Sequence, residues 1–156
     1  MTTNKSAIIE DILTALATIT VANGYRSTIP AGSVFDEIKA YDELATDSLP
    51  ALCAFAGRET RPATYYPFAD IEKLLPITVI GHVHALTSSL RRAAISDLEQ
   101  DVLDALTVDP TRGGWAVDTI QETGPLTDEG EKEIGGKRGE TNSMVLKFLV
   151  TYFPND

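Results

Sequence analysis

Two residues of the chain have a type and spacing that could bind a metal, His82 and His84, and there is no other histidine. On a β-strand both side chains would point to the same side, because alternate residues of a strand share a face. A structural zinc site needs four ligands, usually cysteine and histidine, and the sequence supplies too few. We therefore expect histidines at the surface or in contact with a partner, and we predict no metal ligand and no cofactor.

The single cysteine, Cys53, excludes a disulfide within the chain. It lies in an apolar run, residues 49–56, where cysteine behaves as a small apolar residue. We expect it to be a buried core residue and not a nucleophile. A chain with one such thiol fits a reducing, cytoplasmic setting.

Four carboxylates that lie close together in the sequence could perform acid–base chemistry: Asp128, Glu129, Glu131 and Glu133. Their segment has almost no apolar residues, so we interpret them as solvated charges. The nearby Gly135-Gly136-Lys137 lacks the strand–loop–helix setting of a phosphate-binding loop, and no nucleophile-elbow or dinucleotide-binding motif is present. We predict no catalytic residue and expect a protein that is not an enzyme.

The two histidines belong to a stretch, residues 77–86, whose alternation is typical of a strand with one buried face. Thr87-Ser88-Ser89 then offers N-cap hydroxyl groups, and an apolar stripe at helical spacing runs from Leu90 to Leu106. Asp109-Pro110 ends this helix, because proline cannot donate to the helical ladder. Residues 96–99 also fit a capping box, so a break or restart of the helix at that point stays open.

The remaining sequence predicts one more helix and four further strands. An apolar stripe between Ser6 and Thr20 indicates an amphipathic helix, with Asn23-Gly24 as its stop. Strands are expected at residues 33–38, 49–56, 115–122 and 144–153, and the second is apolar on both faces, as in a central strand. The last two would form a hairpin around a long polar loop, residues 124–142.

Together these elements predict a single α+β domain over residues 1–156. We expect a two-layer sandwich in which a mostly antiparallel sheet carries two amphipathic helices on one face, with a long hairpin loop. The net charge of −10 and pI of about 4.6 disfavour a protein that grips nucleic acid through its phosphates. No stretch approaches the ~18 apolar residues of a membrane helix, and no signal peptide is evident.

An aromatic cluster, Tyr65, Tyr66 and Phe68, surrounds a proline between the second and third predicted strands. Packing at a sheet edge is the interpretation that we favour. A contact patch for a partner is the alternative, since aromatic residues are enriched in the cores of interfaces.

The layout resembles that of the tail terminator, or tail completion, proteins of long-tailed bacteriophages and their relatives in the neck. An Ile/Leu-rich N-terminal helix precedes the turn Asn23-Gly24-Tyr25. The strand at residues 75–81 leads to a helix with the pattern DLEQDVLDAL, residues 97–106, and a polar hairpin returns on the aromatic strand KFLVTY, residues 147–152. The similarity extends over most of the chain and rests on element order and short patterns.

This resemblance implies a structural virion protein made in the host cytoplasm and located in the tail–neck region. Such proteins form a hexameric ring that caps the tail-tube protein, ends tail polymerisation and presents a surface to the neck or connector protein. DNA would pass through the lumen without specific binding, which suits an acidic wall. A head-completion or connector adaptor, or an unrecognised ligand-binding α+β domain, remains as an alternative.

Under the resemblance, the subunit interface would draw on the aromatic cluster and on the polar loop. The expected residues are Tyr65, Tyr66, Phe68, Glu131, Lys132, Glu133, Lys137 and Arg138. A ring needs a head-to-tail contact that closes on itself, so two different surfaces of each subunit must be involved.

Overall fold

The computed structural model describes residues 4–60, 72–85, 87–122 and 143–153. Two α-helices and five strands follow one another along these residues, with three short 3-10 turns between the first helix and the second strand. The elements are α1 Asn4–Ala17, β1 Val34–Phe35, β2 Ala51–Ala56, β3 Lys73–His82, α2 Ser88–Thr107, β4 Asp118–Gln121 and β5 Ser143–Tyr152. The chain therefore has an α+β fold, as the sequence predicts.

The five strands form one sheet in the order β1-β2-β3-β5-β4. The only parallel pair among the described strands is β1 with β2, and the other three pairs are antiparallel. The expected mostly antiparallel sheet is thus confirmed. β3 lies at the centre and pairs along all ten of its residues with β5. Among the described strands, β5 is therefore an interior strand, and β1 and β4 form the two edges.

Both helices contribute to the main apolar cluster, together with alternate residues of β2, β3 and β5. The sheet contributions include Leu52, Ala54, Leu75, Ile77, Val79, Phe148 and Val150. Residues of the opposite parity form a smaller cluster on the other face, in which Cys53 and Ile80 are buried beside Phe35, Phe55 and Val145. The alternation of β3 and β5 that the sequence shows therefore separates two apolar environments of unequal size.

α1 begins two residues before the predicted start, because Asn4 anchors it. The Asn4 side-chain amide donates to the carbonyl oxygen of Phe153 at 2.8 Å, which fixes the helix start at the end of β5. The helix ends at Ala17 instead of Thr20. Thr20 then caps a short 3-10 turn, and Gly24 closes that turn with φ of +91°, the left-handed conformation that favours glycine.

α2 begins where the sequence predicts, since the Thr87 hydroxyl accepts the backbone N–H of Leu90 at 3.2 Å. It runs unbroken from Ser88 to Thr107, so the capping-box pattern at residues 96–99 causes no restart. The helix sits close to the sheet because β3 has a glycine there. A Cβ at Gly81 would lie 2.8 Å from Cδ2 of Leu98 and 2.6 Å from Cε of Met144.

Three predicted strands differ from the observed ones in their ends. The strand predicted at residues 77–86 is displaced towards the N-terminus and spans Lys73–His82, and the strand predicted at residues 33–38 consists of Val34 and Phe35. The strand predicted from Trp115 begins at Asp118, because a turn occupies the preceding residues. In that turn the N–H groups of Gly114 and Ala116 both donate to the carbonyl oxygen of Thr111.

β4 and β5 pair antiparallel, as the predicted hairpin requires. The polar loop at residues 124–142 lies outside the described residues. Within the described ranges, no helix has the length and apolar character to span a bilayer.

Candidate functional site

His82 is fully buried, and both of its ring nitrogens have partners. Nε2 lies 2.6 Å from the carbonyl oxygen of Lys39, which can only accept, so Nε2 carries the proton. Nδ1 therefore accepts from the hydroxyl of Ser143 at 2.5 Å. The prediction of a surface or partner-contacting histidine is wrong for His82, because this ring connects the start of β5 to the segment that follows β1.

Burial lowers the pKa of His82, and the carbonyl of Lys39 and the charge of Glu43 offset this only in part. Tyr41 stands edge-on to the ring, with centroids 6.3 Å apart. The same tyrosine places its hydroxyl 3.3 Å from Nδ1 of the exposed His84. The two histidines therefore have different environments, and no group of three or more potential metal ligands occurs among the residues that the structure describes.

Cys53 is buried, as predicted, on the sheet face opposite the helices. Its sulfur lies 4.0 Å from the carbonyl oxygen of Lys39, a weak contact with the carbonyl that His82 also uses. Burial raises the pKa of the thiol, and the Lys39 carbonyl and charge lower it less. A buried thiol with a raised pKa is a poor nucleophile. The surroundings of Cys53, like those of His82, are therefore typical of a residue that serves the fold.

Asp101 is a buried carboxylate on the core side of α2. Its Oδ1 accepts the backbone N–H of Arg26 at 3.0 Å, and its Oδ2 accepts the backbone N–H of Ser27 at 2.7 Å. The Arg26 guanidinium lies 3.3 Å from Asp101 and 3.2 Å from Asp104. This carboxylate holds the turn after Gly24 against α2, and the charge it buries is compensated by Arg26.

Arg112 is buried in the turn after α2, with φ of +51°. Its Nη2 donates to the carbonyl oxygens of Leu106, at 2.5 Å, and of Asp109. Its Nη1 lies 3.3 Å from Oδ2 of Asp11, a charge contact without a hydrogen bond. Arg112 thus caps the C-terminal end of α2 with a cation and ties it to α1.

The turn that contains Arg112 leads to two exposed apolar residues at the β4 edge of the sheet. Trp115 and Val117 are exposed by 44% and 54%. We call these two residues the β4 corner. A cavity of about 210 Å³ lies beside it, lined by Asn4, Gly114, Trp115, Ala116, Val117 and Phe153. Exposed tryptophan is uncommon on a surface that only solvent contacts, and it is enriched in protein interfaces.

A second concave surface lies beside the β1 edge, with a volume of about 290 Å³. We call it the β1 groove. Its lining comes from α1 and from the chain leading into β1, and consists of Leu13, Thr14, Ala17, Ile29, Pro30, Ala31, Gly32 and Val34. None of these residues is charged, although 23% of the chain is.

The residues predicted to form an interface, Tyr65, Tyr66, Phe68, Glu131, Lys132, Glu133, Lys137 and Arg138, all lie outside the described residues. The β4 corner and the β1 groove were not predicted as sites. The roles of Asp101 and Arg112 were also not predicted, although the sequence contains a sign of each. Asp101 interrupts the apolar stripe of α2 between Leu98 and Ala105, where an unpaired charge would be costly, and Arg112 follows a helix end within an Asp-Pro turn.

Comparison with known proteins adds no relative, since no protein-family model and no curated protein matches the chain. The two apolar surfaces at the sheet edges are therefore interpreted from their own geometry.

Proposed function

We propose that the protein is a structural component of a virion that assembles into a ring on the tail tube of a long-tailed bacteriophage. In this role it ends tail polymerisation and provides the surface for joining the tail to the head. The observation that supports this best is the element order. A helix, three strands, a second helix and two strands that pair antiparallel follow one another along the described residues, and the tail terminator layout that the sequence resembles has a similar order.

The way the reactive side chains are used also supports a structural role. His82 has both nitrogens bonded, the thiol of Cys53 is buried, and Asp101 and Arg112 hold turns against helices. Each of these contacts joins segments of the fold. Apolar side chains are also exposed at the two sheet edges, and exposed apolar surface suits assembly.

The charge of the protein is compatible with a wall around a DNA passage. The segment between β1 and β2 shows this locally, because residues 36–47 contain five acidic residues and one basic residue. Like charge keeps a passing phosphate backbone from adhering. The proposed contact with DNA is therefore passage without binding.

Electron microscopy of particles assembled without this protein tests the proposal. Tails of uncontrolled length are expected if the protein ends tail polymerisation. Unjoined heads beside tails of normal length would instead assign it to the neck as a head-completion or connector adaptor. Normal particles would contradict both roles.

A third possibility, a ligand-binding α+β domain, is tested at His84, the exposed member of the histidine pair. His82 is unsuitable for this test because its loss would disturb the fold. If His84→Ala causes no loss of any function, the histidine pair gives no support to a ligand site.

A further inference from the structure

The turn after α1 contains the dipeptide Asn23-Gly24, and both of its residues are exposed. An asparagine followed by glycine can lose its side-chain amide in water without an enzyme, because glycine has no Cβ to hinder attack by its backbone nitrogen. We propose that Asn23 is a deamidation site which the native turn protects, and that deamidation prevents the turn from forming again. The reaction needs only water, so this inference goes beyond the proposed virion role and does not depend on it.

Deamidation at this dipeptide would exchange an amide for a carboxylate. The backbone nitrogen of Gly24 gives up its proton to a base in solution and forms a bond to Cγ of Asn23. The Cγ–Nδ2 bond breaks, and Nδ2 takes a proton from water and leaves as ammonia. Water then opens the cyclic imide at either carbonyl group. The product is aspartate or isoaspartate, and it adds one negative charge to a chain of net charge −10.

The native turn places hydrogen bonds on both reacting groups. Val21–Asn23 forms the 3-10 turn, and the N–H of Gly24 donates to the carbonyl oxygen of Val21 at 3.0 Å. Nδ2 of Asn23 donates to the carbonyl oxygen of Thr18 at 2.8 Å. An N–H that donates to a carbonyl is harder to deprotonate, because the bond stabilises its protonated form. The side chain of Asn23 is also held at Thr18, so the attack requires the turn to open.

Two contacts outside the dipeptide set the cost of opening. The carboxylate oxygens of the buried Asp101 accept backbone N–H groups of the following segment, from Arg26 at 3.0 Å and from Ser27 at 2.7 Å. The N–H of Val21 donates to the hydroxyl of Thr28 at 3.0 Å. Loss of either contact should therefore raise the fraction of molecules in which the turn is open.

Opening of this turn does not require the domain to unfold. Residues 21–24 are all exposed, so their separation from α1 removes little buried apolar surface. Segments with few buried apolar contacts open locally at a lower free energy than the whole domain. Closing is fast relative to the chemistry, so the native rate of deamidation should equal the rate in the open turn multiplied by the open fraction.

Either product would fit the native turn poorly. A carboxylate at position 23 can only accept, so it loses the bond to the carbonyl oxygen of Thr18 and repels that oxygen. Its charge also lies close to the C-terminal end of α1, where the helix dipole disfavours an anion. Isoaspartate in addition lengthens the main chain before Gly24, which displaces the N–H that donates to Val21. The modified turn should therefore open more readily than the native one.

The rate of deamidation can be measured on the full chain. Trypsin releases residues 6–26, in which Asn23 is the only side-chain amide, so a gain of about 1 Da in this peptide reports the reaction. A zero-time sample corrects for reaction during digestion. In mildly alkaline buffer the rate should be at least about 10-fold lower than in guanidinium chloride. Equal rates with and without the denaturant, or no reaction at Asn23 in the denaturant, would overturn the proposal.

Asp101→Asn tests whether the reaction passes through the open turn. We expect the native rate to rise by about 10-fold or more, whereas the rate in denaturant should stay unchanged. Thr28→Val removes only an exposed acceptor, and it should raise the native rate by about 3-fold or more. This second variant keeps the test decisive if Asp101→Asn does not fold. Both substitutions lie outside the measured peptide, and a native rate that neither of them raises would contradict the proposal.

His82→Gln is the matched control. It also removes a buried polar group, but the ring of His82 lies on the sheet face opposite the helices, where it contacts Lys39 and Ser143. It should leave the native rate within about 2-fold of the wild type. Equal acceleration by His82→Gln and Asp101→Asn would show that deamidation requires the whole domain to unfold, and would contradict the role of the turn.

Asn23→Asp tests the effect of the modification, since it places the product side chain in the turn. Ile29 donates its N–H to the carbonyl oxygen of Ile19 at 2.9 Å, and this bond connects the chain after the turn to the chain before it. Hydrogen exchange of this N–H should be about 5-fold or more faster in Asn23→Asp than in the wild type. Asn23→Ala removes the bond to Thr18 without adding a charge and should lie between them. Exchange in Asn23→Asp as slow as in the wild type would contradict the proposed effect.

Discussion

At the scale of single residues, the buried polar side chains of this protein connect segments that are far apart in sequence. His82 joins Lys39 to Ser143, and Asp101 joins α2 to the turn at Arg26 and Ser27. Such groups stabilise a fold only when every donor and acceptor has a partner, since an unsatisfied buried group costs about 1–3 kcal/mol. Their loss should therefore be visible in stability measurements.

His82 should make stability depend on pH. Burial lowers its pKa in the folded protein, so below the unfolded value of about 6.5 the unfolded chain binds the proton more readily. The contribution of neutral His82 is complete above that pH and is lost as the pH falls towards the lowered folded pKa. Urea unfolding of wild type and His82→Gln from pH 8 to about pH 5 measures it, because glutamine does not titrate.

The stabilities of wild type and His82→Gln should converge as the pH falls. His84→Gln provides the control, because it makes the same substitution at the exposed histidine. A His82→Gln profile parallel to that of the wild type would contradict the assigned environment of the buried ring.

Gly81 should not tolerate a side chain. An alanine Cβ would lie 2.6 Å from Cε of Met144, 2.8 Å from Cδ2 of Leu98 and 3.3 Å from Cδ2 of Leu52. All three side chains are buried, so they would have to shift together, and overpacking of this kind costs about 1–3 kcal/mol. We expect a loss of that size in the free energy of unfolding from urea titration.

Shortening the nearest neighbour should restore part of this loss. Met144→Val removes the atom closest to the new Cβ, so Gly81→Ala/Met144→Val should be more stable than the sum of the single changes predicts. Additive effects of the two changes would show that the close approach is not what makes Gly81 necessary.

At the scale of elements, the sequence predicts those features that depend on periodicity and local capping. The two amphipathic helices, the Thr87 cap and the antiparallel pairing of β4 with β5 follow from such patterns. The ends of strands were less predictable. Residues 83–86 continue an alternating pattern, yet β3 ends at His82, where its paired neighbours also end, at Ala51 and Ser143.

The candidate surfaces could not be predicted for a related reason. Trp115 fits a strand pattern, and its exposure results from the turn formed by Arg112, Gly113 and Gly114, all with positive φ. The groove combines residues from α1 with residues 29–34, which become neighbours only when the helix packs beside β1. A single sequence records neither packing arrangement.

Asp101 should be essential to the attachment of the turn at Arg26 to α2. Asp101→Asn replaces one acceptor oxygen with an amide donor that faces a backbone N–H, and it leaves Arg26 without its buried partner. Removal of one partner from a buried charged contact costs about 3–5 kcal/mol, and less where the other partner is partly exposed, as here. We expect a loss of about 2–4 kcal/mol in the free energy of unfolding.

Asp104→Asn is the matched control for this change. Asp104 pairs with the same guanidinium at 3.2 Å, but its side chain is 45% exposed. Exposed pairs contribute about 0–1 kcal/mol, so this variant should remain close to the wild type. An equal effect of the two changes would contradict the assignment of Asp101 as the buried anchor.

At the scale of the whole molecule, the net charge opposes the self-association that the proposed ring requires. Copies with −10 charge repel one another over the Debye length, which is about 30 Å at 0.01 M salt and about 10 Å at 0.1 M. Salt should therefore weaken this repulsion.

We accordingly expect the dissociation constant for self-association to fall as sodium chloride rises from about 0.02 to about 0.5 M. Sedimentation velocity at fixed protein concentration measures this. Weaker association at high salt would indicate that salt bridges hold the copies together.

The position of β5 between β3 and β4 also has a consequence for the timing of biosynthesis. The long inner edge of β3 and the whole of β4 bond to residues 143–152. Until residues 143–152 have been made, ten residues of the central strand lack this neighbour, and α1 lacks its anchor at Phe153. We expect the bare edge of β3 to be a site that chaperones would need to shield during synthesis.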